Sequence, residues 1–141
     1  MIINFHPKEI ESKLGVQVIS ELNKDNKHQV FHSTDKSKQE WQDIIRSEEE
    51  LHLVAPVYWW GFSYNFDKWV QDVIAYGFAF LFDETGKKGL MNGRKFNVHL
   101  THGHTPDGDP TMKENLEERL RTGIFNYVGA EVEIIWYMVQ R

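Results

Sequence analysis

The chain has no cysteine. That excludes disulfides, thiolate metal sites and cysteine nucleophiles, and it fits a reducing compartment. It has no excess of positive charge: a net charge of −5 and a pI near 5.8 leave no basic footprint for nucleic acid or an anionic membrane surface. It has no long hydrophobic run. The longest, Val73 to Phe82, is ten residues, too short to cross a bilayer, so no membrane insertion is expected. No basic segment precedes a long apolar region at Met1-Ile2-Ile3-Asn4-Phe5, so no signal peptide is read there and a cytoplasmic location is expected. A glycine-rich phosphate loop and a dinucleotide fingerprint are both missing, as are repeats, low-complexity tracts and linkers. What is present is ample apolar material, 40% hydrophobic and 13% aromatic over 141 residues. That is enough for one packed domain over residues 1–141.

Hydrophobic periodicity divides the chain into alternating strands and helices. Ile2 to Phe5 reads as a first strand, closed by His6-Pro7. Leu14, Val18 and Leu22, with Ile19 beside them, recur at helical spacing up to about Lys24. Gln29 to His32 is a short second strand. Ser37-Lys38-Gln39-Glu40 is a capping box before a helix that buries Trp41, Ile44 and Ile45. Leu51 to Ala55 is a third strand of the fully buried kind, and Pro56, which has no N–H, should stop it. Phe66, Trp69, Val70, Val73 and Ile74 mark a third helix, and Glu84 to Gly89 a surface turn. Lys95 to Leu100 is a fourth strand. Asp109-Pro110 is an N-cap and first-turn pair for a long fourth helix through Met112, Leu116, Leu120, Ile124 and Val128, closed by Gly129. Val132 to Met138 is a fifth strand.

This β-α-β-α-β-α-β-α-β order predicts an α/β, three-layer sandwich: a five-stranded parallel sheet with helices on both faces. In its flavodoxin-like version the strand order is 2-1-3-4-5, and the loops after strands one, three and four meet at a switch point. Only Val139, Gln140 and Arg141 follow the fifth strand, so the closing C-terminal helix of that fold is expected to be absent.

Three loops therefore carry the candidate chemistry. After strand one come His6 and Ser12; Ser12 either caps the first helix or, with the helix N–H groups, seats a phosphate. After strand three come Tyr58, Trp59, Trp60 and Gly61, three rings that either cap the core or face a flat conjugated ligand. After strand four come Thr101, His102, Gly103 and His104. With His99, Asp107 and Asp109 these offer imidazoles and carboxylates to a divalent metal, but the spacing fits no known ligand pattern and His99 sits inside the strand, so no metal site is assigned.

The segments Pro56-Val57-Tyr58-Trp59-Trp60-Gly61, Lys68-Trp69-Val70-Gln71-Asp72-Val73, Tyr76-Gly77-Phe78-Ala79-Phe80, Gly93-Arg94-Lys95 and Thr101-His102-Gly103-His104, in that order, resemble the NAD(P)H:quinone oxidoreductase family. This is the family of DT-diaphorase, modulator of drug activity B and the potassium-efflux ancillary proteins. The resemblance implies a bound FMN or FAD and two-electron, ping-pong reduction of a quinone or nitroaromatic by NAD(P)H. It places His6 and Ser12 near the flavin phosphate. Val57, Tyr58, Trp59, Trp60 and Gly61, with Thr101, His102 and Gly103, would line the isoalloxazine ring. Phe78, Phe80 and Phe82 would wall the substrate side, at a site completed across a homodimer. His104 is the candidate catalytic proton donor to the reduced quinone. The Thr-Thr-Gly-Gly loop usual in the family is here Thr101-His102-Gly103-His104, and the segments before strand three and after Thr101 are shortened. Those departures keep open a second reading, a catalytically degenerate regulatory protein of a potassium-efflux system. An electron carrier and a metal-dependent hydrolase rank behind it.

Overall fold

The computed structural model describes residues 1–7, 12–103 and 110–138. In chain order the elements are β1 (Ile2–Asn4), α1 (Lys13–Leu22), β2 (Val30–His32), α2 (Lys38–Ser47), β3 (Glu50–Tyr58), β4 (Gly61–Phe62), α3 (Tyr64–Val73), β5 (Phe80–Asp83), β6 (Gly86–Gly89), β7 (Lys95–His102), α4 (Pro110–Glu118) and β8 (Glu131–Met138). Five strands pair in parallel in the order β2-β1-β3-β7-β8. This is the predicted 2-1-3-4-5 arrangement, with the fourth and fifth strands now β7 and β8.

Strand alternation sorts the side chains onto two faces. Leu51, Leu53, Ala55 and Val57 of β3 and Phe96, Val98 and Leu100 of β7 point to one face. There they pack with Trp41 and Ile45 of α2, Phe66, Trp69 and Val73 of α3, and Met112 and Leu116 of α4. The helix starts follow their caps. Ser12 Oγ accepts from Gly15 N–H, Ser37 and Glu40 close the expected capping box, and Ser63 Oγ accepts from Phe66 N–H. The opposite face carries Ile2, Val18 and Val54 beneath α1.

Three expectations need correction. β3 runs through Pro56 to Tyr58 rather than stopping there. Phe5 N–H donates to Val54 C=O, so Pro56, two residues on, faces the same side just where β1 has ended. No ladder bond is lost by its missing N–H. Glu84 to Gly89 is not a bare turn but half of a β5–β6 hairpin, in which Thr85 donates N–H and O–H to Asp83 Oδ1. The long fourth helix is α only to Glu118; it widens to a π-helix over Arg119–Phe125 and tightens to a 3-10 turn over Asn126–Val128. Gly129 closes it as expected, at φ 87°. The Asp109 part of the predicted N-cap pair lies outside the described residues.

Among the described residues no helix is long and apolar enough to cross a membrane.

Candidate functional site

The carboxyl edge of the sheet is built around a tight hairpin. β3 and β4 pair antiparallel through Val57–Phe62 and Tyr58–Gly61, so Trp59 and Trp60 are the two turn residues. Both have left-handed backbone, φ 50° and 56°. A two-residue hairpin turn of this kind normally takes Asn or Gly, because a bulky residue at positive φ is strained. The two strained positions cost on the order of 1–3 kcal/mol each. The turn holds both indoles off the sheet: Trp59 is fully exposed and Trp60 is 58% exposed. Facing them across an open cleft of about 500 Å³ are His102 and Gly103, with Val57 and Tyr58 at the base. Among the described residues, a Cβ on Gly103 would meet nothing within 4 Å, so the loop is slim at this point. Burial raises the Tyr58 phenol above its ordinary pKa, and it stays protonated at neutral pH.

His6 and Thr101 lie beneath this cleft, bonded to each other. His6 is only 5% exposed. Its backbone N–H donates to Asn4 Oδ1, which marks that atom as the acceptor, and the Nδ1–H donates to the same oxygen at 2.9 Å. The His6 Nε2 is left to accept the Thr101 hydroxyl at 3.0 Å. Burial, with the neighbouring His32 adding to it, pushes His6 down to about 4, so the ring is neutral at physiological pH. His32 donates Nε2–H to the His6 carbonyl at 2.6 Å; its Nδ1 accepts from Thr34 N–H, which fixes that tautomer. Gly15 makes room for the ring. A Cβ there would sit 2.6 Å from His6 Cε1, so α1 can approach β1 this closely only through a glycine.

The remaining expected residues lie elsewhere. Ser12 is the N-cap of α1 and borders a separate shallow depression with Lys13, Val16 and Gln17. Phe78, Phe80 and Phe82 do not reach the cleft within this chain. α3 begins at the carboxyl edge, where Ser63 Oγ–H donates to Phe5 C=O, and its ten residues carry the chain back roughly 15 Å to the amino edge. There Phe78 lies under Arg46 at the end of α2, and Phe80 meets Tyr127 edge-on. Phe82 and Tyr76 stack, with Phe82 57% and Tyr76 63% exposed. Phe78 and Phe80 thus pack partly on the chain's own core while Phe82 and Tyr76 stand in solvent. His104, Asp107 and Asp109 lie outside the described residues.

The face under α1 shows what sequence reading missed. His52 Nδ1 and His99 Nε2 are 3.0 Å apart, and His99 Nδ1 lies 3.0 Å from the Tyr137 hydroxyl, a hydrogen-bonded row across β3, β7 and β8. Burial holds His99 down at about 4 and lowers His52 as well. The odd-numbered placement of His99 in β7 turns it away from the His102 side of the strand. The signal available in the sequence was a lone His in each of two neighbouring buried strands, His99 standing two residues beyond Asn97, the register partner of His52.

Residues 1–135 match the model of the flavodoxin-like fold family. An uncharacterized NAD(P)H oxidoreductase of Haemophilus influenzae is 27% identical over 95 residues, 66% of this chain and 47% of that protein. FMN-dependent NADH:quinone oxidoreductase 3 of Burkholderia lata is 28% identical over 89 residues, 62% of this chain and 42% of its own length. The chain therefore spans less than half the length of these curated relatives. Among solved structures, an FMN-dependent NADH-azoreductase of Bacillus anthracis in complex with FMN superposes with a TM-score of 0.72 at 18% identity, covering 97% of this chain and 85% of that one. An NADPH-quinone reductase of P. pentosaceus gives a TM-score of 0.72 at 19% identity, covering 97% and 83%. Sheet order, switch-point loops and family match agree: this chain belongs to the flavodoxin-like fold family.

Proposed function

We propose that the protein is an FMN-dependent NAD(P)H:quinone oxidoreductase. The observation that carries the reading is the strained Trp59–Trp60 turn facing Gly103 across an open cleft. Natural chains keep strain of this kind mainly where function over-determines it. A turn that stabilised only the fold would gain by exchanging both indoles for Asn and Gly.

The residues present fit a flavin. Two exposed indoles and a slim glycine loop make a shelf for a flat ring, and the capped start of α1 at Ser12 offers N–H groups for a terminal phosphate. FMN is preferred to FAD because the Burkholderia lata relative is named FMN-dependent and the Bacillus anthracis structure holds FMN. Bound flavin supplies the hydride chemistry between a nicotinamide and a quinone or nitroaromatic acceptor. The protein's part is positioning. Val57, Tyr58 and Gly61 anchor the turn, the buried His6–Thr101 bond ties the loops after β1 and β7 together below the ring, and His102 and Gly103 form the opposing wall. His104 remains the proposed proton donor to the reduced acceptor.

A two-fold homodimer completes the reading. It would bring the exposed Tyr76 and Phe82 of one copy to the cleft of the other, supplying the substrate wall that a single chain lacks. Purified protein titrated with FMN should develop a bound-flavin absorption band and then oxidise NADH or NADPH in the presence of a quinone. Light scattering at micromolar concentration should give twice the 16.7 kDa chain mass. Flavin binding without nicotinamide oxidation would favour the regulatory reading, and no flavin binding at all would end both.

A further inference from the structure

We propose that Arg119 is a positioning residue for the aromatic turn: its guanidinium, laid on the Phe62 ring, clamps the β3–β4 hairpin and so holds Trp59 and Trp60 where a flat ligand would meet them. The consequence for ligand binding rests on the flavin reading, whereas the clamp itself does not.

The hairpin is poorly equipped to hold itself. It has only two cross-strand pairs, Val57–Phe62 and Tyr58–Gly61, and both turn residues sit at strained positive φ. The exposed indoles give it no grip on the core. Of the two residues of β4, Gly61 has no side chain, which leaves the Phe62 ring as that strand's one side-chain anchor. The ring is buried. It meets Phe66 at a centroid distance of 4.8 Å, and the Arg119 guanidinium carbon lies 5.1 Å from its centroid. The next residue, Ser63, is tied to Phe5 C=O, so the chain is fixed on the α3 side and the turn can lift only if the Phe62 ring lets go.

Two features aim Arg119 at that ring. Its Nη2–H donates to Asp67 Oδ1 at 2.7 Å, and Asp67 is held in the first turn of α3. A planar guanidinium can bond a carboxylate through its edge while its face covers a ring. Arg119 also stands at the junction where α4 widens into the π-helix. The apolar stripe accounts for that widening. Met112, Leu116, Leu120, Ile124 and Val128 recur every four residues, and in an α-helix each such step overshoots a full turn by roughly 40°. The wider turns absorb the drift. They keep Leu120, Ile124 and Phe125 buried and leave Arg119, next to Leu120, on the flank that meets α3. Short π-segments recur at functional sites.

The clamp is local in its effect. The Arg119 and Asp67 side chains are 44% and 32% exposed, so their pair adds little to global stability. A short, strained hairpin opens at low cost, and a modest contact decides how often it does so.

The test is native-state amide hydrogen exchange of the FMN-free protein, with the Trp59 and Trp60 indole signals followed in ¹⁵N–¹H spectra. In Arg119→Gln the hairpin amides should exchange about tenfold faster and both indole signals should move. The amides of Leu53 and Val98 in the sheet centre, and the urea midpoint, should stay at wild-type values. Asp67→Asn should act in the same direction, and the double variant should be no worse than Arg119→Gln, because both changes remove one clamp. FMN affinity of Arg119→Gln should then fall about tenfold. Unchanged hairpin exchange and indole signals overturn the clamp. Uniformly faster exchange with a lowered urea midpoint overturns it too, making Arg119 a residue of general stability. Faster hairpin exchange with wild-type FMN affinity overturns the positioning role and leaves the flavin reading intact. Failure of the wild type itself to bind FMN ends the flavin reading and that role with it, while the exchange data still decide the clamp.

Discussion

The two faces of the sheet are built by opposite rules. On the α2–α3–α4 face aromatic and aliphatic side chains dominate, with the buried Gln42 of α2 donating to Val73 C=O: Phe5, Phe62, Phe66, Trp69 and Trp41 form ring contacts, and Phe96 stacks on Phe125. On the α1 face the apolar part is small, Ile2, Val18 and Val54, and the rest is polar: His6 with Thr101, and His52 with His99 and Tyr137. Apolar burial is non-directional and gives the first face its stability. Hydrogen bonds give modest net stability but fix geometry, and the second face uses them directly below the candidate cleft. Stability and positioning are thus divided between the two faces of one sheet.

That division can be broken from either side. Phe66→Ala removes a ring touching both Phe5 and Phe62 and should cost about 3–5 kcal/mol in urea unfolding. Val18→Ala on the α1 face should cost only about 2 kcal/mol. Gly15→Ala drives a methyl to within 2.6 Å of the His6 ring; we expect about 1–3 kcal/mol of destabilisation and weakened FMN binding, because His6 must leave Thr101. An Ala variant that matches wild type in both would show that α1 adjusts without disturbing the His6–Thr101 bond.

Acid should act mainly on the polar face. His6 and His99, held at about 4 in the folded chain against about 6.5 unfolded, bind fewer protons folded than unfolded between those values. Stability should therefore be level above pH 6.5 and fall steadily as the pH drops toward about 4. The combined variant His6→Asn/His99→Gln should be less stable at neutral pH and show a flatter profile across that window. An unchanged slope would mean that these two rings do not carry the acid response.

The fold was legible because its signals are local. Apolar runs at strand length, caps at Ser12 and Ser37, and Gly129 at a helix end each act through neighbours in the chain. What escaped depends on partners distant in sequence. Pro56 is tolerated inside β3 because β1, some fifty residues earlier, ends beside it. His52 and His99 look like isolated polar residues in buried strands until register sets them 3.0 Å apart. The aromatic loop was readable as exposed and close to Gly103, but its left-handed turn was not, since nothing in Tyr-Trp-Trp-Gly announces that the tryptophans themselves occupy the positive-φ positions. The Phe78–Phe82 segment shows the limit most clearly. Helix length and direction, not composition, put it at the far edge of the sheet.

The central claim is that the Trp59–Trp60 turn is strained in order to hold a flavin. Trp59→Asn/Trp60→Gly should relieve that strain and raise stability by about 1–2 kcal/mol. The decisive measurement is an absorbance titration with FMN of this double variant beside the wild-type protein. The account predicts that the wild type binds FMN and that the more stable variant binds it at least about tenfold more weakly. Equal affinity for FMN in the two proteins, or no binding by the wild type, would contradict it.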